Sequence, residues 1–131
     1  MASTLSDAAR ALIDGDNYAT LATLNPDGSP QTSVLWVKVD GGDLLLSTTR
    51  GRQKEKNLSR DPRVSVTIYD RTNPYRYVEV RGDARLSEEG GRELIDELSQ
   101  KYTGGPYTND APDAVRVVVR ITPERITGRA T

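Results

Sequence analysis

The sequence predicts a mainly β fold of the α+β class, a small antiparallel barrel of about six to seven strands with short helices between them. Short runs of alternating apolar and polar residues recur along the chain, which is the pattern of half-buried strands. Turn sequences rich in Gly, Asp, Asn and Pro separate these runs. Helical periodicity is confined to short segments, so a barrel is favoured over βαβ units.

The first third of the chain predicts one helix followed by two strands. Residues 5–13 carry apolar side chains at helical spacing, and residues 18–24 have the pattern of a strand. The turn at residues 25–28, Asn-Pro-Asp-Gly, contains a proline that fixes φ and a glycine that permits a positive φ. Residues 31–39 are then predicted as the second strand.

A second turn, Asp-Gly-Gly-Asp at residues 40–43, connects this strand to a third at residues 44–48. Three strands joined by tight turns predict an antiparallel meander. A helix-compatible segment then ends at Asp61, because the residue before Pro62 is pushed out of the α conformation. Residues 63–69 alternate apolar and polar side chains and predict the fourth strand.

The second half of the chain predicts three further strands and a helix. The long strand at residues 75–86 contains Gly82, which indicates a bend or bulge. Ser87 is predicted to open a helix through Tyr102 with acidic residues in its first turn. A loop at residues 104–112, which contains Tyr107, follows; a connecting role is favoured over that of a substrate lid, and no substrate contact is assigned to it. The last elements are a strand at 114–121, a break at Thr122-Pro123-Glu124 and a strand at 125–128.

The composition excludes several kinds of chemistry. The 131-residue chain contains neither Cys nor His, so disulfides, thiolate nucleophiles and imidazole bases are excluded, and we expect no metal site. The formal net charge of −1 gives no overall attraction to nucleic acid. No run approaches the ~20 apolar residues of a membrane span, and the first residues lack the features of a secretory signal. The expected location is therefore cytoplasmic.

Residues 44–58 have the composition of a phosphate-binding site. An apolar run at residues 44–46 leads into hydroxyl residues, then a glycine among cations, then a segment compatible with a helix. A phosphate requires hydroxyl and backbone N–H donors at a helix N-terminus, with positive charges converging on them. A solvated basic helix face is the alternative interpretation. Six cations fall within the fourteen positions 50–63: Arg50, Arg52, Lys54, Lys56, Arg60 and Arg63.

Two stretches of the chain resemble a known family. One is the turn Asn-Pro-Asp-Gly-Ser-Pro-Gln at residues 25–31, between two strands. The other is Leu-Leu-Leu-Ser-Thr-Thr at residues 44–49, followed by Arg-x-Lys-x-x-Asn-Leu-x-x-Asp-Pro-Arg at residues 52–63. Together they resemble the pyridoxamine 5′-phosphate oxidase-like family, and most closely its B-type flavin/deazaflavin oxidoreductases that use coenzyme F420. The resemblance extends over residues 12–128 and implies an FMN-binding-like split β-barrel.

The resemblance also implies a single-domain homodimer that binds a flavin or deazaflavin between its subunits. The residues implied around the cofactor phosphate are Ser47, Thr48, Thr49, Arg50, Arg52 and Lys54, with Asn57 nearby. Those implied along the ring system are Thr32, Ser33, Val34 and Trp36. A third segment, which approaches the cofactor in the family, corresponds to Tyr75, Arg76 and Tyr77.

The preferred function is a reductase in which reduced F420 transfers a hydride to an activated double bond of a small organic substrate. The absence of His and Cys is compatible with this reaction, because the cofactor carries the chemistry. No general acid is indicated, and Tyr77 is only a candidate. The alternatives are an FMN-dependent oxidoreductase or electron carrier of the same fold, and a non-catalytic flavin- or deazaflavin-binding protein. A nucleic-acid module is disfavoured by the near-zero net charge and the scarcity of aromatic residues.

Overall fold

The computed structural model describes residues 3–130 and contains three helices and seven strands. The helices are α1 (Asp7–Asp14), α2 (Gln53–Arg60) and α3 (Gly91–Thr103). The strands are β1 (Ala19–Leu24), β2 (Pro30–Leu35), β3 (Lys38–Asp40), β4 (Asp43–Thr49), β5 (Arg63–Asp70), β6 (Asn73–Ser87) and β7 (Arg116–Thr127). Within the described residues, no helix has the length and apolar character needed to span a membrane.

All seven strands form one antiparallel sheet in the order β2-β1-β5-β6-β7-β4-β3. The two edge strands, β2 and β3, follow each other in the chain and are separated only by Trp36 and Val37. Three Cα–Cα steps of about 3.8 Å span at most roughly 11 Å, so the two edges of the sheet must lie close together. The sheet is therefore curled into a barrel with an open seam between β2 and β3. The predicted split β-barrel is confirmed.

The predicted meander of the first three strands is wrong. β2 pairs with β1, whereas β3 pairs with β4 at the opposite edge of the sheet. The single strand predicted at residues 31–39 is thus two strands with different partners. At the break, the amide of Val37 lies 3.3 Å from the Tyr102 hydroxyl, and its carbonyl accepts a 2.6 Å hydrogen bond from Lys101. Alternation of apolar residues reports which face is buried and not which strand is the partner, so the pattern did not reveal the switch.

Aliphatic side chains fill the barrel interior. Buried positions alternate along β1, β5, β6 and most of β7, as expected for strands with one face in the core. α1 packs against this core, because Leu12 and Ile13 are at most 1% exposed. Its N-cap residue, Ser6, accepts a 3.1 Å hydrogen bond from the amide of Ala9, which satisfies one of the free donors of the first turn.

Two boundaries in the second half differ from the prediction. α3 begins at Gly91 rather than at Ser87, because Ser87 still pairs with Val118 in the sheet and Gly90 turns the chain at a φ of +79°. The break predicted at residues 122–124 does not interrupt β7. The expected number of strands is therefore reached with a different division of the chain.

The bulge predicted at Gly82 is confirmed by a register shift between Arg81 and Gly82. Pro123 lies opposite Gly82 at this shift. A proline has no N–H to donate to the ladder and is tolerated within a strand at a bulge. The irregular pairing at Gly82 thus explains why Pro123 does not end β7.

We expect Gly82→Ala to lower the free energy of unfolding by about 1–3 kcal/mol, the range for overpacking a tight contact. The added Cβ would lie far inside van der Waals distance of the Thr122 carbonyl oxygen, and backbone cannot move aside as a flexible side chain can. Urea denaturation followed by the fluorescence of Trp36 measures the effect. Gly42→Ala is the matched control, because a Cβ there meets nothing within 4 Å and should be neutral or slightly stabilising. Equal losses for the two variants would contradict the steric explanation.

Candidate functional site

A pocket of about 300 Å³ opens beside the link between β2 and β3. This volume is at the lower end of the ~300–1,000 Å³ that small-molecule sites occupy. One part of its lining is polar and cationic: Ser47, Thr48, Thr49, Arg52, Lys54 and Arg116. The other part is aromatic and aliphatic: Tyr18, Val34, Leu35, Trp36, Ile95, Leu98 and Tyr107.

The turn between β4 and α2 presents the start of this helix to the pocket. Gly51 has a φ of +97°, a conformation that favours glycine, and Arg52 is the N-cap residue of α2. Arg52 makes no side-chain capping bond. The buried carboxylate of Glu55 instead accepts a 2.7 Å hydrogen bond from the amide of Gly51, and this bond is the main cause of the lowered pKa of Glu55. The turn is therefore held from within the helix, and the N-cap side chain is left available for a ligand.

Arg52 and Lys54 supply positive charge that the protein does not neutralise. In the part of the chain that the structure describes, neither side chain forms an ion pair. Burial lowers the pKa of Lys54, and the nearby charges of Arg52 and Arg116 lower it further. An ammonium group that is half-buried among cations is stabilised by an anion, so this arrangement is typical of an anion-binding site.

Hydroxyl groups lie beside these cations. The Oγ1 atom of Thr48 is buried and has no hydrogen-bond partner among the described residues. Ser47 accepts a 3.2 Å hydrogen bond from Nη1 of Arg116, which leaves its own hydroxyl proton free to be donated. An unpaired buried hydroxyl is costly, and a ligand oxygen in the pocket would satisfy it.

Arg116 is a pocket residue that the sequence analysis missed. Its guanidinium makes two hydrogen bonds of 2.8 and 2.7 Å with the carboxylate of Asp110. It also lies 4.7 Å from the centroid of the Tyr107 ring. The pairing of Thr49 with Arg116 across β4 and β7 brings this arginine to the site. Only the register of those two strands reveals it, because Arg116 is far from the basic cluster in sequence.

An aromatic column forms the other wall. Trp36 stacks on Tyr102 with ring centroids 5.4 Å apart, and Tyr18 stacks on the same tyrosine at 5.4 Å. Tyr107 meets Trp36 edge-on at 5.9 Å. The Tyr102 hydroxyl donates a 2.6 Å hydrogen bond to the carbonyl of Asn17, and burial raises the pKa of Tyr102 to about 12. The rigid column keeps Trp36 beside the pocket.

Seven of the residues predicted to surround the cofactor line the pocket. They are Val34, Trp36, Ser47, Thr48, Thr49, Arg52 and Lys54. The others lie outside its lining: Thr32, Ser33, Arg50, Asn57, Tyr75, Arg76 and Tyr77. These placements do not test the predicted binding roles, which stay predictions.

Two of the outlying residues, Arg50 and Asn57, have partners that connect α2 to its surroundings. Arg50 forms ion pairs with Glu88 at 3.0 Å and with Glu55 at 3.4 Å. Asn57 is fully buried, and its amide donates 3.0 Å hydrogen bonds to Thr23 and Asn25. Both residues therefore fix α2 against the sheet in this chain.

The segment that contains Tyr75, Arg76 and Tyr77 lies on β6. Tyr75 is 75% exposed and Tyr77 is 37% exposed. Arg76 forms an ion pair of 3.5 Å with Asp70. Tyr77 faces Tyr69 across the β5–β6 ladder. The segment thus presents aromatic rings to the surface of its own chain.

Comparison with known proteins assigns the family. A model of the pyridoxamine 5′-phosphate oxidase family matches residues 5–130. The chain belongs to this family. The resemblance that the sequence analysis proposed is confirmed, and family membership supports a flavin- or deazaflavin-using oxidoreductase as the general function.

Solved structures of other proteins resemble this family member. A protein named F420 Reductase is 34% identical, and the match covers 92% of this chain and 96% of that chain with a TM-score of 0.81. The conserved hypothetical protein Rv2991 from Mycobacterium tuberculosis is 33% identical, with coverages of 94% and 83% and a TM-score of 0.76. HupZ from Group A Streptococcus is 19% identical, and the match covers 98% of this chain and 96% of that chain with a TM-score of 0.73. At this identity the match supports the fold alone.

The Asp110–Arg116 pair predicts a defined pH dependence of stability. The hydrogen bonds from Arg116 are the main cause of the lowered pKa of Asp110, and both side chains are nearly buried. A carboxylate with a lowered folded-state pKa stabilises the protein above its unfolded pKa of about 3.9, and the contribution is lost as pH falls through the folded value. We expect Asp110→Asn to cost about 1–3 kcal/mol of unfolding free energy at both pH 7 and pH 5. The difference in unfolding free energy between Asp110→Asn and the parent protein should become smaller only below about pH 4.

Urea denaturation at several pH values measures this difference. Asp113→Asn is the control, because Asp113 is exposed and forms no ion pair within residues 3–130. Its effect should stay within about 0.5 kcal/mol. Similar losses in the two variants, or a difference that already narrows at pH 6, would contradict the assigned role of the pair.

Proposed function

We propose that this protein is a reductase that uses reduced coenzyme F420 to transfer a hydride to an activated double bond of a small organic substrate. One observation carries the proposal: two unpaired cations and a buried free hydroxyl share a pocket with an aromatic wall. A phosphate ester attached to a planar ring system has the same division into charged and apolar parts. The likeness to the protein named F420 Reductase favours a deazaflavin as that ring system.

The phosphate end of the cofactor would lie at the start of α2. Arg52 and Lys54 would contact its charge directly, and the hydroxyls of Ser47, Thr48 and Thr49 would donate hydrogen bonds. Hydrogen bonds to a charged partner contribute roughly 1.5–3 kcal/mol each, so two or three of them suffice to anchor a cofactor. Arg52 offers a planar fork and Lys54 a single ammonium, so the two residues are not interchangeable.

The ring end would lie along β2 and its link to β3. Trp36 and Val34 line the pocket there, and the backbone of Thr32 and Ser33 continues the same edge strand. An edge strand has unpaired N–H and C=O groups on one side, which can bond the polar edge of a heterocycle. The buried hydroxyl of Ser33 also lacks a partner within the described chain.

Arg50 and Asn57 would act as supports for this site. Arg50 is tied to Glu55, the same carboxylate that holds the Gly51 amide. Asn57 anchors the middle of α2 to the sheet through Thr23. Loss of either residue would disturb the position of the helix start, even if neither side chain touches the cofactor.

The chain itself would position and shield the reactants. When bound, F420 in its reduced form supplies the hydride. The aromatic column and the aliphatic side chains of Ile95 and Leu98 would exclude water from the ring. Neither His nor Cys is needed for these tasks.

A second copy of the chain would complete the site. A pocket of about 300 Å³ that is open on one side cannot enclose a phosphate ester together with a ring system. Val34 is 68% exposed beside this pocket, and Tyr75 is 75% exposed elsewhere on the surface. In a symmetric dimer, the segment of Tyr75, Arg76 and Tyr77 would reach the pocket of the partner, and the Tyr77 hydroxyl would be the candidate proton donor.

Binding titrations test the cofactor assignment. We expect F420 to quench Trp36 fluorescence and to bind more tightly than FMN. Arg52→Ala and Lys54→Ala should each weaken F420 binding by roughly 1.5–3 kcal/mol, because each removes a charge-assisted contact. Lys56→Ala is the matched control: this exposed residue is two positions along the helix from Lys54 and does not line the pocket.

Equal losses of F420 affinity at all three positions would indicate a diffuse electrostatic patch instead of a site.

The family match itself leaves FMN as the second candidate cofactor. Tight FMN binding, FMN-supported turnover and no oxidation of reduced F420 by an enone would move the assignment to an FMN-dependent oxidoreductase. Binding without turnover of any acceptor would favour a non-catalytic carrier.

The dimer proposal has its own test. Sedimentation at micromolar concentration should give a dimer. Tyr77→Phe should measurably slow enone reduction, by at most the 10²–10⁴-fold typical of one acid–base group. Tyr69→Phe is the control, because Tyr69 is a comparably exposed tyrosine opposite Tyr77 on the neighbouring strand. A monomer with full cofactor affinity would overturn the proposal. An unchanged rate in Tyr77→Phe would exclude its hydroxyl as the proton donor.

A further inference from the structure

The four lysines of this chain have different surroundings. Lys38 is paired with Glu97, and Lys101 donates hydrogen bonds to the carbonyls of Ile13 and Val37. Lys56 is exposed on α2. Among them, only Lys54 lines the pocket.

The surroundings of Lys54 favour the neutral amine. Its charged neighbours are Arg52, the N-cap residue of α2, and Arg116 on β7, and both are cations. Asp110, the carboxylate partner of Arg116, is already bound by that arginine through two hydrogen bonds. Partial burial is the main cause of the lowered pKa of Lys54, and these two charges lower it further. Desolvation beside another cation is one of the ways in which proteins turn a lysine into a nucleophile.

The same pocket holds groups that would orient an electrophile. Arg52 has no ion pair within the described residues, and Thr48 has a buried hydroxyl without a partner. An anionic group bound by these two residues would leave the Lys54 amine free. A carbonyl a few bonds away from that anionic group would then lie within reach of Nζ.

We propose that Lys54 forms a reversible imine with small aldehydes that carry a phosphate group. The Nζ lone pair attacks the carbonyl carbon to give a carbinolamine, and loss of one water yields the imine, so nothing is oxidised or reduced. The phosphate remains on Arg52 and Thr48 during this step. The site is thus a modification site that is specific for phosphorylated aldehydes.

The modification has a consequence for the proposed function. An aldehyde phosphate on Lys54 and the phosphate of a cofactor would occupy the same anion site, so each would exclude the other. Only this mutual exclusion rests on the proposed function. Imine formation itself requires only the protein without cofactor, and its test does not depend on F420.

Reductive trapping tests the proposal. The protein is incubated with glyceraldehyde 3-phosphate at neutral pH, the imine is reduced with sodium borohydride to a stable secondary amine, and peptide mass spectrometry quantifies the label at each lysine. We expect at least about tenfold more label at Lys54 than at Lys56, the gain that one charge-assisted anchor provides. Glyceraldehyde without the phosphate should show a much smaller preference for Lys54, because it lacks the anchor. Inorganic phosphate should suppress the label at Lys54 only.

Two variants make the result specific. Lys54→Arg keeps the positive charge and removes the nucleophile, so the selective label should disappear while phosphate binding persists. Arg52→Gln should reduce the label at Lys54 towards that at Lys56, although the lysine is still present. Equal labelling of Lys54 and Lys56 by the phosphorylated aldehyde would overturn the proposal. So would selectivity that survives in Arg52→Gln and in saturating inorganic phosphate.

Trapping with F420 present separates the two proposals. Protection of Lys54 by F420 supports both of them. Selective trapping without any protection by F420 leaves the modification site intact and contradicts the placement of the cofactor phosphate. If Lys54 is labelled no more than Lys56 without F420, but F420 still protects it, the placement of the cofactor phosphate is supported and the modification site is contradicted.

Discussion

The link between β2 and β3 is the constraint on which the rest of the structure depends. Two residues join strands at opposite edges of the sheet, so the sheet has to close on itself. Val37 is fully buried at this link, and its backbone is bonded by Lys101 and Tyr102 of α3 rather than by a neighbouring strand. An unsatisfied buried carbonyl would be costly, so the end of α3 is needed to keep the link in place. Tyr102 also carries the ring on which Trp36 stacks, and closure of the barrel and formation of the pocket wall therefore have a common cause.

The charge distribution of the pocket opposes the stability of the ligand-free protein. Arg116 is neutralised by Asp110, but Arg52 and Lys54 have no ion pair among residues 3–130, and the hydroxyl of Thr48 is buried without a bond. Each of these features destabilises the folded protein, and a bound anion would offset that destabilisation. A ligand that binds only the folded state stabilises it by RT ln(1 + [L]/Kd), so occupancy of this site and resistance to unfolding should rise together. The same imbalance contributes to the lowered pKa of Lys54, on which the proposed imine formation draws.

Local features of the sequence predicted what depends on local forces. The turn at residues 40–43, the end of α2 before Pro62 and the bulge at Gly82 follow from the conformational limits of glycine and proline, which act within a few residues. The change of partner strand at Val37 does not follow from such local limits. It depends on contacts with α3, which lies far along the chain. For the site, the cationic segment was visible because its residues are contiguous. The positions of Asp110 and Arg116 at the pocket could not be predicted in this way. Only the β4–β7 register and the loop before β7 bring these two residues to the cationic segment.

The two ends of the pocket differ in how firmly they are held. The anion end is built on β4 and α2, which are fixed by the sheet and by buried bonds such as that of Asn57. Tyr107 at the aromatic end belongs to a loop that is held at two places. Its amide donates a 3.2 Å hydrogen bond to Asp96 of α3, beside the exposed contacts of Arg92. Further along the loop, Asp110 forms the nearly buried ion pair with Arg116 of β7. Exposed ion pairs contribute only about 0–1 kcal/mol, so the loop depends mainly on the Asp110–Arg116 pair for its position. The proposed phosphate end therefore rests on regular secondary structure, whereas the position of Tyr107 at the aromatic end depends largely on one ion pair in a loop.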